Sequence, residues 1–281
     1  MRLTSLIIAS TIGFSGAVQA SEFYHQASPG ELEFTASLNS EYSSSSFSNG
    51  ADSEGIDLIL GFQIEKALGE KWAAGAWFGY GYGEGEEFNV DRDSDGLEDI
   101  ELYVKSFLPT ASGSIRYGFT LTAALEDKEI EQDGYSNRFS GGIGSRLYLG
   151  YEHNSSPHVL GFRISQEIGL EDRLEVSDTG GQIEVSGEEE FQVAFYYERP
   201  KKDAGFWGGQ FSYTLTSDRE ANGVTSEIMS PILRWHIYRP TPLGSNILVP
   251  QLGFGISTAD NVNGAELDEY LEAQFNVAYR F

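Results

Sequence analysis

The strongest constraint in this chain is an alternation of apolar and polar side chains with a period of two, repeated along its length and running to the last residue. Near the C-terminus Leu271, Ala273, Phe275, Val277, Tyr279 and Phe281 share one parity, while Glu272, Gln274, Asn276, Ala278 and Arg280 share the other. Only an extended strand puts every second side chain on one face, so the segment predicts a strand with one apolar and one wet face. The pattern returns in Ile56, Leu58, Leu60, Phe62 and Ile64, and again in the runs from Trp72 to Tyr80, Ile115 to Leu121, Phe191 to Tyr197, Trp207 to Leu215 and Met229 to Ile237. Each strand so marked spans about 10 residues or more, where strands of soluble proteins average about 5–6, and aromatic residues gather near the run ends. These features predict an all-β chain that forms a transmembrane antiparallel up-and-down β-barrel rather than a soluble sandwich.

The first twenty residues read separately. Arg2 supplies a basic start, Leu6 to Phe14 an apolar stretch, and Val18-Gln19-Ala20 small residues ahead of a cleavage point, as in a secretory signal peptide. That apolar stretch is well short of the roughly 20 residues that span a bilayer. Residues 1–20 are therefore expected to be removed, leaving residues 21–281 as one barrel domain. No later stretch is apolar for long enough to cross a membrane as a helix. The chain carries 43 Asp and Glu against 18 Lys and Arg, a formal charge of −25. Binding to nucleic acid rests on phosphate neutralisation, so this balance excludes it. The absence of Cys excludes a disulfide scaffold, a thiolate metal site and a Cys nucleophile.

Counting the runs predicts about twelve strands, among them residues 30–42, 137–151, 158–176, 182–198, 225–238 and 267–281. Connections after the even-numbered strands are short, such as Leu68-Gly69-Glu70. Those after the odd-numbered strands are mostly longer and acidic, such as Gly83 to Glu98 and Glu126 to Ser136. An even strand count with short turns at one end and long loops at the other resembles the Gram-negative outer-membrane β-barrel proteins. The ending Phe275-Asn276-Val277-Ala278-Tyr279-Arg280-Phe281 looks like the C-terminal signature by which that class is recognised for insertion. The resemblance implies a place in the outer membrane with both termini periplasmic, the long loops beside lipopolysaccharide, and Phe281 presented to the barrel-insertion machinery. Over one strand, Asp95 to Lys105, the chain also resembles the barrel transporters associated with aromatic-degradation pathways. Leu174, Val176, Ile183 and Val185 continue the alternation around Asp178-Thr179-Gly180-Gly181, which predicts a long hairpin beyond the membrane.

With the apolar parity facing lipid, the wet parity faces the lumen, because a charge against hydrocarbon is costly. This places Lys105, Arg116, Arg146, Arg163 and Arg234 inside, each within about five residues of the periplasmic end of its strand, with Glu33, Asp57, Glu65, Glu101 and Glu167 also pointing inward. Arg146 and Arg163 are expected at similar depth on neighbouring strands. Such a belt has two readings: an anion-preferring constriction built from like charges, or a lumen closed by Arg–carboxylate pairs. Inward glycines, among them Gly75, Gly79, Gly81, Gly142, Gly144, Gly253 and Gly255, leave space or bend strands.

Asp91-Arg92-Asp93-Ser94-Asp95-Gly96-Leu97-Glu98-Asp99 is the sharpest local motif. Carboxylates at Asp91, Asp93 and Asp95, a glycine bend, the Leu97 carbonyl and Asp99 match the first nine positions of a calcium loop. The segment resembles the Asp-x-Asp-x-Asp-Gly loops of extracellular proteins, although Leu102 stands where an EF-hand needs a bidentate Glu. A weak Ca²⁺ site in an exterior loop is expected, with a simple acidic turn as the other reading.

The four histidines argue against a hydrolase. His25 precedes the first strand, His153 and His158 flank a short turn and His236 lies near another, so none is expected on the exterior half, where a Ser–His or Asp–His pair would need its base. The function expected from the sequence is passive transport of a small solute across the outer membrane. A non-conducting, surface-binding or structural barrel with acidic loops is the alternative.

Overall fold

A computed structural model describes residues 22–87, 90–130, 135–155, 157–169, 173–177, 182–186, 189–200, 206–221, 224–226, 230–262 and 265–281. The expected signal peptide and the Asp178 to Gly181 turn lie outside the described residues. Twelve strands make the wall: β1 (Leu32–Phe47), β2 (Asp52–Ala67), β3 (Trp72–Glu87), β4 (Ile100–Pro109), β5 (Gly113–Ala123), β6 (Ile143–Ser155), β7 (His158–Gly169), β8 (Glu189–Pro200), β9 (Phe206–Thr216), β10 (Ile232–Tyr238), β11 (Asn246–Ser257) and β12 (Ala265–Arg280). Each pairs antiparallel with the next. Pairing of β12 with β1, from Thr35 opposite Arg280 to Phe47 opposite Leu267, closes the ring. At the seam Phe34 and Phe281 exchange two backbone hydrogen bonds of 3.2 and 3.1 Å and stack their rings on the outer face.

Parity sorts the side chains as the alternation predicts. Along β2, Leu58, Leu60 and Phe62 are exposed on the outer surface, while Gln63 and Glu65 are buried inside. The outer belt continues through Leu38, Phe78, Leu147, Phe195, Phe254 and Phe275, all exposed. Large apolar side chains on the outside and buried charges on the inside reverse the plan of a water-soluble protein and fit a wall surrounded by hydrocarbon. Around the short-turn end the belt gains an aromatic rim, where Trp72 meets Tyr117 edge-on and Tyr197 stacks on His158. Rings with a polar edge settle at such a boundary between apolar and wet surroundings.

The sixth strand is placed differently from the expectation. It starts at Ile143 rather than near residue 137 and runs on to Ser155, through the segment read as a turn. The alternation does not stop at Tyr151: Tyr151 and His153 stack outside, and Glu152 between them is fully buried inside. The tenth strand begins at Ile232, not near residue 225, and the seventh ends at Gly169.

Beyond the long-loop end the connections carry smaller strands. Val90–Leu97 extends the sheet along β3, and Arg173–Ser177 pairs with Gln182–Val185 as the expected hairpin while lying parallel to Lys128–Ile130. These pairings satisfy backbone groups that would otherwise be exposed edges.

The two faces of the wall should respond oppositely to charge. Leu60→Lys, in mid-strand on the outer face, is expected to cost about 2–4 kcal/mol. Gln63→Lys, at the lumen side of the same strand, should cost clearly less. Urea unfolding midpoints of the barrel refolded in phospholipid vesicles check this, read by the heat-modifiable mobility of the folded form.

Candidate functional site

The lumen is divided into a stoppered part at the short-turn end, a charged tier nearer the long loops and a cavity beside them. The stopper is the chain's own N-terminal segment. Glu22–Tyr24 forms one short 3-10 turn, and Phe23, Tyr24, His25 and Ala27 are buried within the ring. The Phe23 N–H donates to Glu198 Oε1 at 3.2 Å and the Ala27 N–H to Glu65 Oε1 at 2.7 Å. Lys105 Nζ, 2.6 Å from Glu65 Oε2, donates to the His25 carbonyl, also at 2.6 Å. The wall's carboxylates thus satisfy backbone donors of a segment with no ladder of its own, as burial requires.

Aromatic and cationic groups complete the seal. Phe23 stacks on Tyr196 with centroids 4.4 Å apart, and the Arg163 guanidinium lies 4.6 Å from the Phe23 ring centroid. Arg116 bonds Glu152 at 3.0 Å and lies 4.7 Å from the Phe107 centroid. Tyr24 reaches across to donate its hydroxyl to the Phe162 carbonyl at 2.6 Å. Gly150 permits this approach, since a Cβ there would stand 1.7 Å from the Tyr24 hydroxyl oxygen.

The expected belt is therefore two tiers. Lys105, Arg116 and Arg163 belong to the stopper, whereas Arg146 lies opposite Glu167 in the register and Arg163 opposite Gly150. Four residues along a strand separate the two arginines by about 13 Å, so they do not share a depth. Arg146 follows closely on Ile143, the residue that opens β6 at the long-loop end, because the strand extends further past Tyr151 than the sequence suggested. It binds Glu167 at 2.8 Å and approaches Glu101 at 3.7 Å. Arg234 bonds both carboxylate oxygens of Glu272, with contacts of 2.8 to 3.1 Å. Of the five expected cations, Arg163 alone has no ion pair among the described residues; it bonds Gln192 at 3.2 Å.

Sequence reasoning missed two contributors. Arg138, in the segment before β6, turns into the lumen to bond both oxygens of Asp57 and also Glu98. Gly81 makes its path, since a Cβ there would lie 2.2 Å from Arg138 Nε. The signal available was a lone arginine in acidic sequence, with Asp57 pointing inward across the ring. The stopper was the second, and its signal was an aromatic pair, Phe23-Tyr24, shortly after the expected cleavage point.

Opposite the stopper, β1, β2 and β8 to β12 surround a small cavity of about 50 Å³, open to solvent in part. Asn39, Gln192, Gln210, Gln251, Gln274 and Asn276 give its lining six amides, with Ser212 and His236 beside them. His236 Nε2 lies 2.7 Å from Gln274 Oε1.

The calcium-loop residues take a shape unlike that of a calcium loop. Asp91, Asp93, Asp95 and Leu97 lie on the extended strand Val90–Leu97, paired with β3 from Glu87 to Tyr80. Carboxylates at alternate strand positions are about 6–7 Å apart and do not converge on one ion. Asp95 accepts from the Tyr80 hydroxyl and Asp99 from the Ser140 N–H. Of the histidines, His25 contacts Glu33 and His236 contacts Gln274, while His158 and His153 are at the outer rim.

No protein-family model matches the sequence, and no curated protein matches it. Among solved structures the fold is similar to an outer membrane channel from Pseudomonas putida F1, with TM-score 0.64 and 13% identity over 90% of this chain and 97% of the other. It is similar also to the translocator domain of the autotransporter NalP from Neisseria meningitidis, with TM-score 0.55 and 13% identity over 92% and 90% of the two chains. The monoaromatic hydrocarbon channel CymD superposes with TM-score 0.51 and 9% identity over 90% and 88%. The chain thus has the fold of the outer-membrane β-barrel proteins.

The two arginines should now behave differently. Arg146→Ala leaves Glu167 and Glu101 without their cation and is expected to cost roughly 3–5 kcal/mol. Arg163→Ala strands no carboxylate and should cost only about 0.5–2 kcal/mol, the worth of its ring contacts. Urea midpoints of the refolded variants test this. A separate check concerns the acidic strand: proteolysis of the long loops is expected to proceed alike in Ca²⁺ and in EGTA, in wild type and in Asp91→Ala/Asp95→Ala.

Proposed function

We propose that this barrel is a passive outer-membrane channel for a small solute, with residues 22–29 as a stopper at the periplasmic mouth. The observation that carries the reading is the lumen: it is lined by polar side chains, and part of it is a cavity rather than a packed core. A barrel serving only as an anchor has no need of buried amides around open space, since each polar group taken from water without a partner costs stability. Short turns, the start of β1 and the end of β12 gather at one end of the barrel, and this supports a periplasmic location for the stopper. Phe281, exposed on the outer face beside Phe34, is free to meet insertion machinery. The acidic loops would then stand beside lipopolysaccharide, where divalent cations offset the repulsion between like charges.

The lumen arginines contribute structure more than ion selection in this scheme. Arg116, Arg146 and Arg234 are matched by carboxylates, so little net field remains along the passage to prefer anions. One observation favours the non-conducting alternative, a surface-binding barrel: the stopper is held by at least four hydrogen bonds to wall residues.

Planar-bilayer recordings separate the two. The refolded mature chain is expected to conduct weakly, and a form lacking residues 22–29 should show a larger, steadier conductance. A truncated barrel with the mobility of the folded form and no conductance would overturn the channel reading.

A further inference from the structure

Aromatic side chains mark both ends of the outer face, but their ionic companions differ. At the long-loop end the Tyr80 hydroxyl donates to Asp95 at 2.8 Å and the Tyr82 hydroxyl to Glu84 at 2.7 Å. At the short-turn end the companions are cations. Trp207, exposed at the start of β9, lies directly opposite Arg199 of β8, and the Arg239 guanidinium, one residue past β10, stands 5.3 Å from its ring centroid. Arg199 shares the parity of exposed Phe195 and Tyr197, and Arg239 that of exposed Trp235 and Ile237, so all three groups are on the lipid-facing side. Opposed residues of an antiparallel pair have their Cβ atoms about 5 Å apart, which sets the indole between two guanidiniums at the level of the aromatic rim.

In a chain of formal charge −25 this is an unusual place. Inside the barrel Arg116, Arg138, Arg146 and Arg234 are each matched by a carboxylate. Arg199 and Arg239 form no ion pair among the described residues. Nor, among those residues, does any carboxylate face outward at this end of β7 to β11, since Glu152 and Glu198 are buried on the lumen side. The two cations are therefore left to whatever surrounds the barrel.

That surrounding group has to be an anion at the boundary between hydrocarbon and water. A phosphodiester fits: its non-bridging oxygens accept from a guanidinium fork, while the indole packs against the glycerol and the first acyl carbons. A zwitterionic headgroup adds an ammonium, which the two guanidiniums repel and no neighbouring carboxylate receives. A lipid whose charge is its phosphate alone escapes that cost, and basic residues at a membrane surface favour such lipids. We propose that Arg199, Trp207 and Arg239 form a headgroup site for a net-anionic phospholipid of the periplasmic leaflet. The inference uses the orientation given above and is independent of conduction, so either can fail without the other.

Trp207 is its own reporter. With Trp72→Phe, Trp77→Phe and Trp235→Phe it is the one tryptophan left, and the full-length barrel is refolded into vesicles of phosphatidylglycerol and phosphatidylcholine, with one or the other lipid brominated in its acyl chains. Contact with bromine quenches the indole. Quenching is expected to show phosphatidylglycerol enriched at Trp207 by at least about threefold. Arg199→Gln with Arg239→Gln should remove the enrichment, as should salt of about 1 M, where screening acts within about 3 Å. A tryptophan at the other end, Tyr82→Trp in a Trp207→Phe background, should show none. Native mass spectrometry of lipids retained by the otherwise wild-type barrel, with and without the two arginine substitutions, makes the same comparison without the tryptophan replacements. Equal quenching by both lipids, enrichment that survives the arginine substitutions, or equal enrichment at Tyr82→Trp would each overturn the proposal. So would arginine-dependent retention on washed peptidoglycan with no lipid preference, which would assign the pair to a wall polymer instead.

Discussion

A backbone surrounded by hydrocarbon has no water to bond its N–H and C=O groups, so every one of them must be paired within the chain. For a chain whose apolar residues alternate, the ring is the only way to meet that demand without an unpaired edge. Closure of β12 onto β1 is therefore the condition for everything else, and the register carries it through thirteen residue pairs, ending where Phe34 and Phe281 bond back to back. Once the ring is closed, parity decides the rest. One face must be apolar because lipid touches it, and the other is free to be polar.

That freedom is what the lumen uses. Inward side chains replace the apolar core of a soluble protein with ion pairs and amides, and their stability depends on mutual satisfaction in a space of low dielectric. Arg234 forked onto Glu272, Arg116 on Glu152 and Arg138 on Asp57 tie strands across the ring as well as along it. Burying both charges of a pair gains little over apolar packing, but it fixes which strand faces which. The large negative charge of the chain then belongs chiefly to the loops, where water screens it.

How much of this was legible follows from the range of each interaction. Strand faces were legible because parity is local: Leu60 and Gln63 announce their sides whatever the neighbours do. Strand ends were less so. Glu152-His153-Asn154 has the composition of a turn, yet β6 runs through it, because pairing with β5 and β7 overrides local preference and carries Glu152 to Arg116. That shift moved Arg146 away from Arg163 and dissolved the single expected belt. The stretch from Asp91 to Leu97 shows the same override. Its spacing fits a calcium loop, but the open edge of β3 claimed it as a strand. Arg138 shares the wet parity of the run read as a strand from residue 137, but it lies ahead of β6, and the stopper lies in no repeating segment; both act on residues far away in sequence, which periodicity does not reach.

Stopper and cavity occupy complementary parts of one lumen, and the difference between them is instructive. Where the N-terminal segment lies, wall carboxylates Glu65 and Glu198 find backbone donors, and Arg163 finds an aromatic face. Unpartnered side-chain atoms remain in both parts: His25 Nδ1, Arg116 Nε and Arg163 Nε at the stopper, Asn39, Gln210 Nε2 and Ser212 Oγ beside the cavity. The stopper is therefore set apart by how it is held and not by satisfying every group around it. Its backbone donors are taken by Glu65 and Glu198, acceptors that a polar wall supplies and an apolar one could not, so the same inward polarity that replaces a core also gives a segment without a ladder its place in the lumen.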